Sequence, residues 1–389
     1  MSKLDDLLLE LMDHPTDDDF LVYADQASVV GDPRGELVVI QHALANHTLT
    51  DTQRAELLAR EHEILDDEDS IWGMAMRQML QEGIVWRNGF VRTARIDDCG
   101  LMQSSRTIDY EVSVAEALEL LLGHPSGALL EELTLATDRS DGFIESTDRD
   151  VESAFGAAEL ALLDRHRPYC LRRLTLNDRW SEDEPDYPRC FDISWFKLTG
   201  MASLSRGVPD LEQLTLIAGD VLQLEELDLP KLRSLAVRTG GLRRSRLEAL
   251  FTRVRPSVER LELWFGRPDY GADIDVPDLR RILDGTLFPN LRWLGLMNAE
   301  FTDELCEVLA YAKLLPQLHG ISLALGCMST RGVAHVVRSR DAYAHLEELD
   351  VSRSLLDGDA QARLHAALPR ARIGVQRGNR HMRYACVGE

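Results

Sequence analysis

A short apolar motif, L-x-x-L-x-L, recurs eight times in this chain of 389 residues and constrains its fold more than any other feature. Successive copies mostly lie at or near the spacing of ~20–29 residues found in stacked-repeat proteins. One such repeat cannot bury its own leucines, so neighbouring copies must pack together. The copies, with Val or Ile at a few positions, occupy residues 130–135, 171–176, 211–216, 232–237, 258–263, 291–296, 318–323 and 346–351.

The segments between the copies show helical patterns. Acidic residues follow Thr302 in what would be a first turn, and 357–368 carries its apolar residues on one face. One strand and one helix per repeat predict an α/β solenoid with a parallel sheet. We interpret 138–150 and 180–188 as insertions in the two longest intervals, and we expect a degenerate ninth copy at 373–375.

On these eight copies, residues 118–376 resemble leucine-rich-repeat proteins of the ribonuclease-inhibitor-like type. The resemblance implies a leucine-rich-repeat solenoid with parallel strands on the concave face and helices on the convex face. It also implies a non-catalytic protein-protein interaction module that binds its partner on the concave surface. We expect a tail to follow the solenoid at 377–389.

The N-terminal region predicts a small helical domain over residues 1–82. Apolar residues recur at helical spacing in 4–12, in 20–29 and from Glu36 onward. A Thr-x-x-Gln capping box at Thr50 opens a fourth helix. Residues 83–117 then change to a strand-like pattern and are expected to form a connecting segment that caps the solenoid.

Two stretches of this domain, Leu21-Val-Tyr-Ala-Asp25 and Gly31-Asp-Pro-Arg-Gly-Glu-Leu37, resemble the bacterial repeat-companion domain. The chain departs from that pattern at Gln26, where a Trp is usual, and in the short lead-in before Phe20. The resemblance implies a bacterial repeat protein and assigns no chemistry to the domain.

Charge and cysteine usage limit the partners and the compartment. The formal net charge of −23 disfavours nucleic acid and anionic membranes, and it favours a basic protein partner or simply confers solubility. None of the six cysteines shows C-x-x-C spacing, which is typical of reduced thiols rather than a zinc site. Without a leader or an apolar stretch long enough to span a bilayer, the sequence predicts an acidic, cytoplasmic protein.

A search for catalytic, metal and cofactor motifs finds none that is complete. Gly31 to Gly35 is interpreted as a turn, because Asp32 and Glu36 would repel a phosphate. The acid clusters 17–19 and 66–69 are interpreted as solvated loops or helix ends. Cys190-Phe-Asp192 resembles the active-site tripeptide of bacterial ubiquitin-ligase effectors that carry leucine-rich repeats, but it lies inside the array, which favours an ordinary thiol.

The residues that flank the motif leucines should point out of the opposite face of the sheet, because side chains alternate along a strand. Aligning the fifth and sixth copies places Arg260 beside Trp293 and Trp264 beside Met297. Gly295 should leave a notch beside Glu262. Trp, Arg and Met are residue types that dominate interfaces, so these five residues are the predicted partner-binding site: Arg260, Glu262, Trp264, Trp293 and Met297.

Alternatives remain open at this point. Either Trp could instead pack beneath a loop, most plausibly 266–275. The chain could also be an enzyme with an unrecognised site in the N-terminal region or in an insertion, or a structural subunit of a larger assembly. The leading prediction is nevertheless a binding protein that is not an enzyme and needs no cofactor.

Overall fold

The computed structural model describes residues 2–13, 15–66, 83–97, 113–136, 154–177, 193, 197–377 and 384–387. These residues fall into two compact units. The first lies within 1–141, 158–174 and 206–210, and the second within 142–157, 175–205 and 211–389.

The described residues form four α-helices first, and strands and helices follow in mixed order. The α-helices are Lys3–Leu11 (α1), Asp17–Val29 (α2), Arg34–Asn46 (α3), Asp51–Asp66 (α4), Val114–Gly123, Ala157–His166, Met201–Gly207, Arg244–Leu250, Arg280–Leu283, Thr302–Leu309, Thr330–Arg338, Arg340–Tyr343 and Gly358–Ala367. The strands are Ile84–Arg87 (β1), Phe90–Asp97 (β2), Glu132–Ala136 (β3), Ala154–Phe155 (β4), Arg173–Leu176 (β5), Lys197–Leu198 (β6), Gln213–Ile217 (β7), Asp220–Val221 (β8), Ser234–Arg238 (β9), Arg260–Gly266 (β10), Trp293–Ala299 (β11), Gly320–Ser322 (β12), Glu348–Asp350 (β13) and Ala371–Arg372 (β14).

The four helices predicted near the N-terminus are all present in the first unit as α1 to α4. The capping box at Thr50 forms as expected: the Thr50 amide donates to the Gln53 side chain at 3.0 Å, and the Gln53 amide donates to the Thr50 hydroxyl at 3.3 Å. The strand-like pattern after residue 83 is the antiparallel pair β1–β2, and β3 then joins β2 in parallel.

The Gly31–Leu37 stretch fixes how α2 and α3 meet. Gly35 permits close approach, because a Cβ there would lie 2.7 Å from the Ala24 carbonyl oxygen of α2. The Arg34 guanidinium is buried, donates to Asp32 at 3.0 Å and stacks on Tyr23 and Phe90. The motif residues therefore hold helices together, and the turn predicted at Gly31 is present with φ of +76°.

In the second unit, seven strands form one parallel sheet in the order β7-β9-β10-β11-β12-β13-β14. The parallel α/β architecture predicted from the repeats is thus confirmed. The motif leucines and their Val and Ile replacements are buried in all eight copies, none more than 4% exposed. Each fully buried side chain of this size contributes about 1.5–3 kcal/mol, so the repeat pattern is the core of the protein.

The segments between strands are less regular than one helix per repeat. Helices Thr302–Leu309 and Gly358–Ala367 lie where the sequence predicts them, but β7 and β9 are joined by β8 and a 3-10 turn at Leu224–Glu226. The middle leucines of these two copies, Leu214 and Leu235, are only 21 residues apart, which leaves little room for a helix, and β8 instead pairs with β6. The ninth copy expected at 373–375 forms no strand there; the last strand of the sheet, β14, covers Ala371–Arg372 and ends just before it.

Candidate partner-binding surface

The register of β10 and β11 brings the predicted residues together. Arg260 pairs with Trp293, Glu262 with Gly295, and Trp264 with Met297, as the motif alignment predicted. The long interval between these two copies does not shift the register, because the buried Leu261–Leu294 and Leu263–Leu296 pairs fix which side chains face outward.

Trp293 lies flat on the outer face of the sheet. A Cβ on Gly295 would lie 2.8 Å from the Trp293 ring, and a Cβ on Gly320 would also meet that ring. The notch expected at Gly295 is therefore filled by the indole of Trp293. The indole N–H donates to Glu348 at 3.0 Å, so glycine clearance and one hydrogen bond together fix the ring in place.

Arg260 covers the outer side of this indole. Its guanidinium carbon is 3.3 Å from the Trp293 ring centre, while the Arg260 side chain keeps 45% of its exposure. Burial against the ring lowers the pKa of Arg260, and the nearby Glu262 and Glu348 carboxylates oppose that shift. An arginine starts from so high a pKa that the group stays a cation at neutral pH.

Glu262 is buried and acts as an acceptor for two neighbours. Arg238 donates to it at 2.7 Å, and the indole N–H of Trp264 donates to it at 2.9 Å. The Arg238 guanidinium also lies over the Trp264 ring at 5.3 Å. A buried carboxylate with these partners orders the surface rather than presenting a free charge to a ligand.

The expectation that Trp264 and Met297 are exposed is wrong. Trp264 is 1% exposed and Met297 is 8% exposed. Both belong to an apolar cluster that covers the ends of the strands, and the loop 266–275 supplies none of its members among the described residues. The cover comes instead from distant parts of the chain; the cluster comprises Ile193, Ile217, Trp264, Trp293, Met297, Ala324, Leu325, Cys386 and Val387.

Sequence reasoning missed Asn298 altogether. This residue follows the outward-facing part of β11 with a left-handed φ of +54° and is fully buried. Its side-chain amide donates to the Val387 carbonyl at 2.6 Å and accepts from the Val387 N–H at 2.8 Å. Only its residue type, which tolerates the left-handed region, gave a local signal.

The other candidates from the sequence form no reactive site in the described part of the chain. Residues 17–19 make the first turn of α2, and Asp19 closes a capping box with Thr16. No group of three or more His, Cys, Asp or Glu side chains with metal-ligand geometry occurs among the described residues. Cys190, Asp192 and most of the 66–69 cluster lie outside them.

One shallow surface pocket is lined by Leu315, Pro316, Ala342 and His345. The His345 ring nitrogen lies 3.0 Å from the Leu315 carbonyl oxygen. Within the described ranges, no helix has both the length and the apolar character needed to cross a membrane.

Comparisons with known proteins support the fold alone. No family model matches the chain, and no curated protein matches it. Among solved structures, a protein from Bacteroides fragilis is 21% identical with a TM-score of 0.55, over 70% of this chain and 72% of that one.

Two further solved structures match less closely. The TLR13–ssRNA13 complex is 16% identical with a TM-score of 0.31, over 64% of this chain and 32% of that one. An internalin from Listeria monocytogenes is 12% identical with a TM-score of 0.29, over 77% of this chain and 87% of that one. Neither superposition is close enough to support an argument about fold or function.

Proposed function

We propose that this chain is a non-catalytic protein-binding module that recognises a partner through the outer face of its parallel sheet. The observation that carries the proposal is the stack of Arg260 on Trp293, which leaves a partly exposed aromatic and an accessible cation side by side. Trp and Arg are the residue types whose truncation most often costs binding energy at protein interfaces.

The stack is also ordered in advance of binding. Trp293 rests on Gly295 and Gly320 and donates to Glu348, so a partner would meet a ring that is already immobilised. Binding then avoids the entropy of ordering a flexible side chain, about 0.5–1.5 kcal/mol for each one. This favours recognition at this point over the flexible charged side chains elsewhere on the surface.

The five residues of the predicted site have different parts in this proposal. Arg260 and Trp293 would contact the partner directly. Glu262, Trp264 and Met297 would support them as buried neighbours on the same face of the sheet. Glu262 connects the two groups, since it accepts from Trp264 and lies 4.0 Å from the Arg260 guanidinium.

The broader identity that we propose is a bacterial, cytoplasmic leucine-rich-repeat protein of the ribonuclease-inhibitor-like type. Its solenoid would span 118–376, with the strands on a concave face, and its repeat-companion-like domain would span 1–82. The buried motif leucines and the parallel sheet of the second unit support the repeat assignment. The net charge of −23 supports a basic protein partner over nucleic acid or a membrane.

In the experiment, immobilised wild-type protein captures the partner. The affinity of the captured partner is then measured for the wild type and for three single variants. Arg260→Ala and Trp293→Ala should each weaken binding by about 2 kcal/mol, or ~30-fold. Arg233→Ala is the control, because Arg233 is an exposed arginine that is paired with Glu259. Equal affinities for all four proteins would contradict the proposal, as would binding that does not weaken with added salt.

A further inference from the structure

Residues 384–387, Tyr-Ala-Cys-Val, lie on the strand ends of the second unit. Ala385 and Val387 are almost fully buried there. The Cys386 N–H donates to the Leu325 carbonyl at 2.9 Å. The Val387 N–H and the Val387 carbonyl both form hydrogen bonds with the Asn298 side chain. The sheet thus holds this segment mainly through its backbone.

An arginine holds the other end of the segment. Arg377 donates to the Tyr384 carbonyl at 2.7 Å and to the Gly326 and Arg353 carbonyls at 2.6 and 2.9 Å. The Arg267 guanidinium lies over the Tyr384 ring at 4.4 Å. A cation on each side therefore fixes an aromatic residue at the start of the segment.

The floor beneath Cys386 and Val387 is apolar. Trp264, Met297, Ala324 and Leu325 form it, together with Ile193. Cys386 and Val387 pack against these side chains. We name Trp264, Arg267, Met297, Asn298 and Leu325 the strand-end groove, which holds a short peptide segment through backbone hydrogen bonds and an apolar floor.

Two residues that contact the segment have a left-handed backbone conformation. Asn298 and Leu325 both adopt left-handed φ values, +54° and +66°. Leucine rarely adopts this conformation, because its Cβ approaches the following carbonyl oxygen. The Leu325 carbonyl is the one that accepts from the Cys386 N–H.

We infer that the strand-end groove is a binding site for an extended peptide of a partner protein, and that residues 384–387 occupy it as an exchangeable internal ligand. The peptide would carry an aromatic residue followed by small residues and a β-branched one. It would form the same hydrogen bonds and apolar contacts as 384–387, because the groove binds backbone atoms and small apolar side chains. The inference does not depend on the Arg260–Trp293 stack.

An internal ligand competes strongly with a free peptide. A tethered segment has an effective concentration of about millimolar, so the wild-type groove should be largely filled. Val387→Asp places a charge on the apolar floor and should expel the segment without altering the groove. The groove of that variant should then accept the same peptide from solution.

The test uses the full chain and a fluorescent synthetic peptide with the sequence of residues 380–389, in which Cys386 is replaced by Ser. Binding is followed by fluorescence anisotropy. The Kd should be at least about tenfold lower for Val387→Asp than for the wild type. Val387→Ala, which only shortens the side chain, should shift the Kd in the same direction by a smaller factor.

Two second substitutions, each combined with Val387→Asp, distinguish loss of the groove's contacts from a general loss of stability. Asn298→Asp keeps a residue that tolerates the left-handed region but removes the donor to the peptide carbonyl, so binding should be lost. Asn177→Asp is the matched control, because Asn177 is also buried with φ of +67° yet contributes nothing to the groove. Arg233→Ala, at an exposed arginine paired with Glu259, should leave peptide binding unchanged.

The inference is overturned if folded Val387→Asp and Val387→Ala, checked by their melting transitions, bind the peptide no better than the wild type. It is also overturned if Asn298→Asp and Asn177→Asp reduce binding equally. A dimer that forms only when Val387 is intact would point instead to exchange of the segment between two copies, and would overturn the assignment to a separate partner.

Discussion

Two arginines, Arg34 in the first unit and Arg260 in the second, stack on aromatic rings, yet they have opposite exposures. The Arg34 side chain is 7% exposed and lies over Tyr23 and Phe90 at 5.5 and 5.7 Å. The Arg260 side chain is 45% exposed and lies over Trp293. The same contact therefore holds helices together in one unit and remains accessible in the other.

The two arginines differ in exposure, and only the buried one requires a dedicated counter-charge. A buried guanidinium needs a carboxylate, and Arg34 has Asp32. Burial by itself would raise the pKa of Asp32, but the hydrogen bonds from Arg34 outweigh it and lower that pKa. Burial also raises the pKa of Tyr23 to about 12, against the opposing effect of Arg34. Arg260 keeps contact with water and needs no such dedicated partner.

The largest effect that this comparison predicts is for Arg34→Ala. The substitution leaves the partly buried Asp32 carboxylate without its cation and opens space between Tyr23 and Phe90. We expect a loss of about 3 kcal/mol in the free energy of unfolding, measured by urea denaturation and followed by the far-UV circular dichroism of the helices.

Arg34→Lys is the matched variant for that experiment. It keeps the positive charge but loses the planar fork that donates to both Asp32 oxygens, so it should recover only part of the stability. If Arg34→Ala unfolds at the same urea concentration as the wild type, the comparison fails, because Arg34 would then not differ from a surface arginine.

The next effect in size is on stability, and it distinguishes Gly35 from Gly295. Each glycine allows a close contact that a Cβ would block. At Gly35, a Cβ would meet the Ala24 carbonyl, which belongs to the helix backbone and cannot move alone. At Gly295, a Cβ would meet the Trp293 ring, which can shift at the cost of its contacts with Arg260 and Glu348. Gly35→Ala should therefore cost about 1–3 kcal/mol in unfolding free energy.

Gly295→Ala should cost less stability than Gly35→Ala but should change the surface. Its signature is a shift in tryptophan fluorescence, together with weaker binding of the partner captured by the wild-type protein. Equal losses of unfolding free energy at both glycines, without any fluorescence change, would show that the Trp293 ring does not depend on the clearance at Gly295.

The contrast also shows what the sequence could predict. The repeat leucines fixed the register, so the neighbours of Arg260 and Trp264 followed from a period of two along each strand. The helices α1 to α4 followed from local apolar spacing and, for α4, from the capping box at Thr50. These signals are local, or they repeat along the chain.

Exposure could not be predicted in the same way. Trp264 has an outward register position but is covered by Ile193 and Val387, which are 71 and 123 residues away in the sequence. The Gly295 notch is filled by Trp293 because Gly320, in a different repeat, gives the ring room to lie flat. Such contacts depend on where distant segments return to the sheet, and no spacing rule encodes that.

The smallest predicted effect is on the stability of Arg260→Ala. An exposed cation–π contact contributes about 0.5–1 kcal/mol, and the Glu262 and Glu348 carboxylates keep other partners when the guanidinium is removed. Urea denaturation should therefore show a loss below ~1 kcal/mol, well short of the loss for Arg34→Ala. A loss as large as that of Arg34→Ala would assign Arg260 to the fold rather than to recognition, and would remove the main support for a binding surface at this stack.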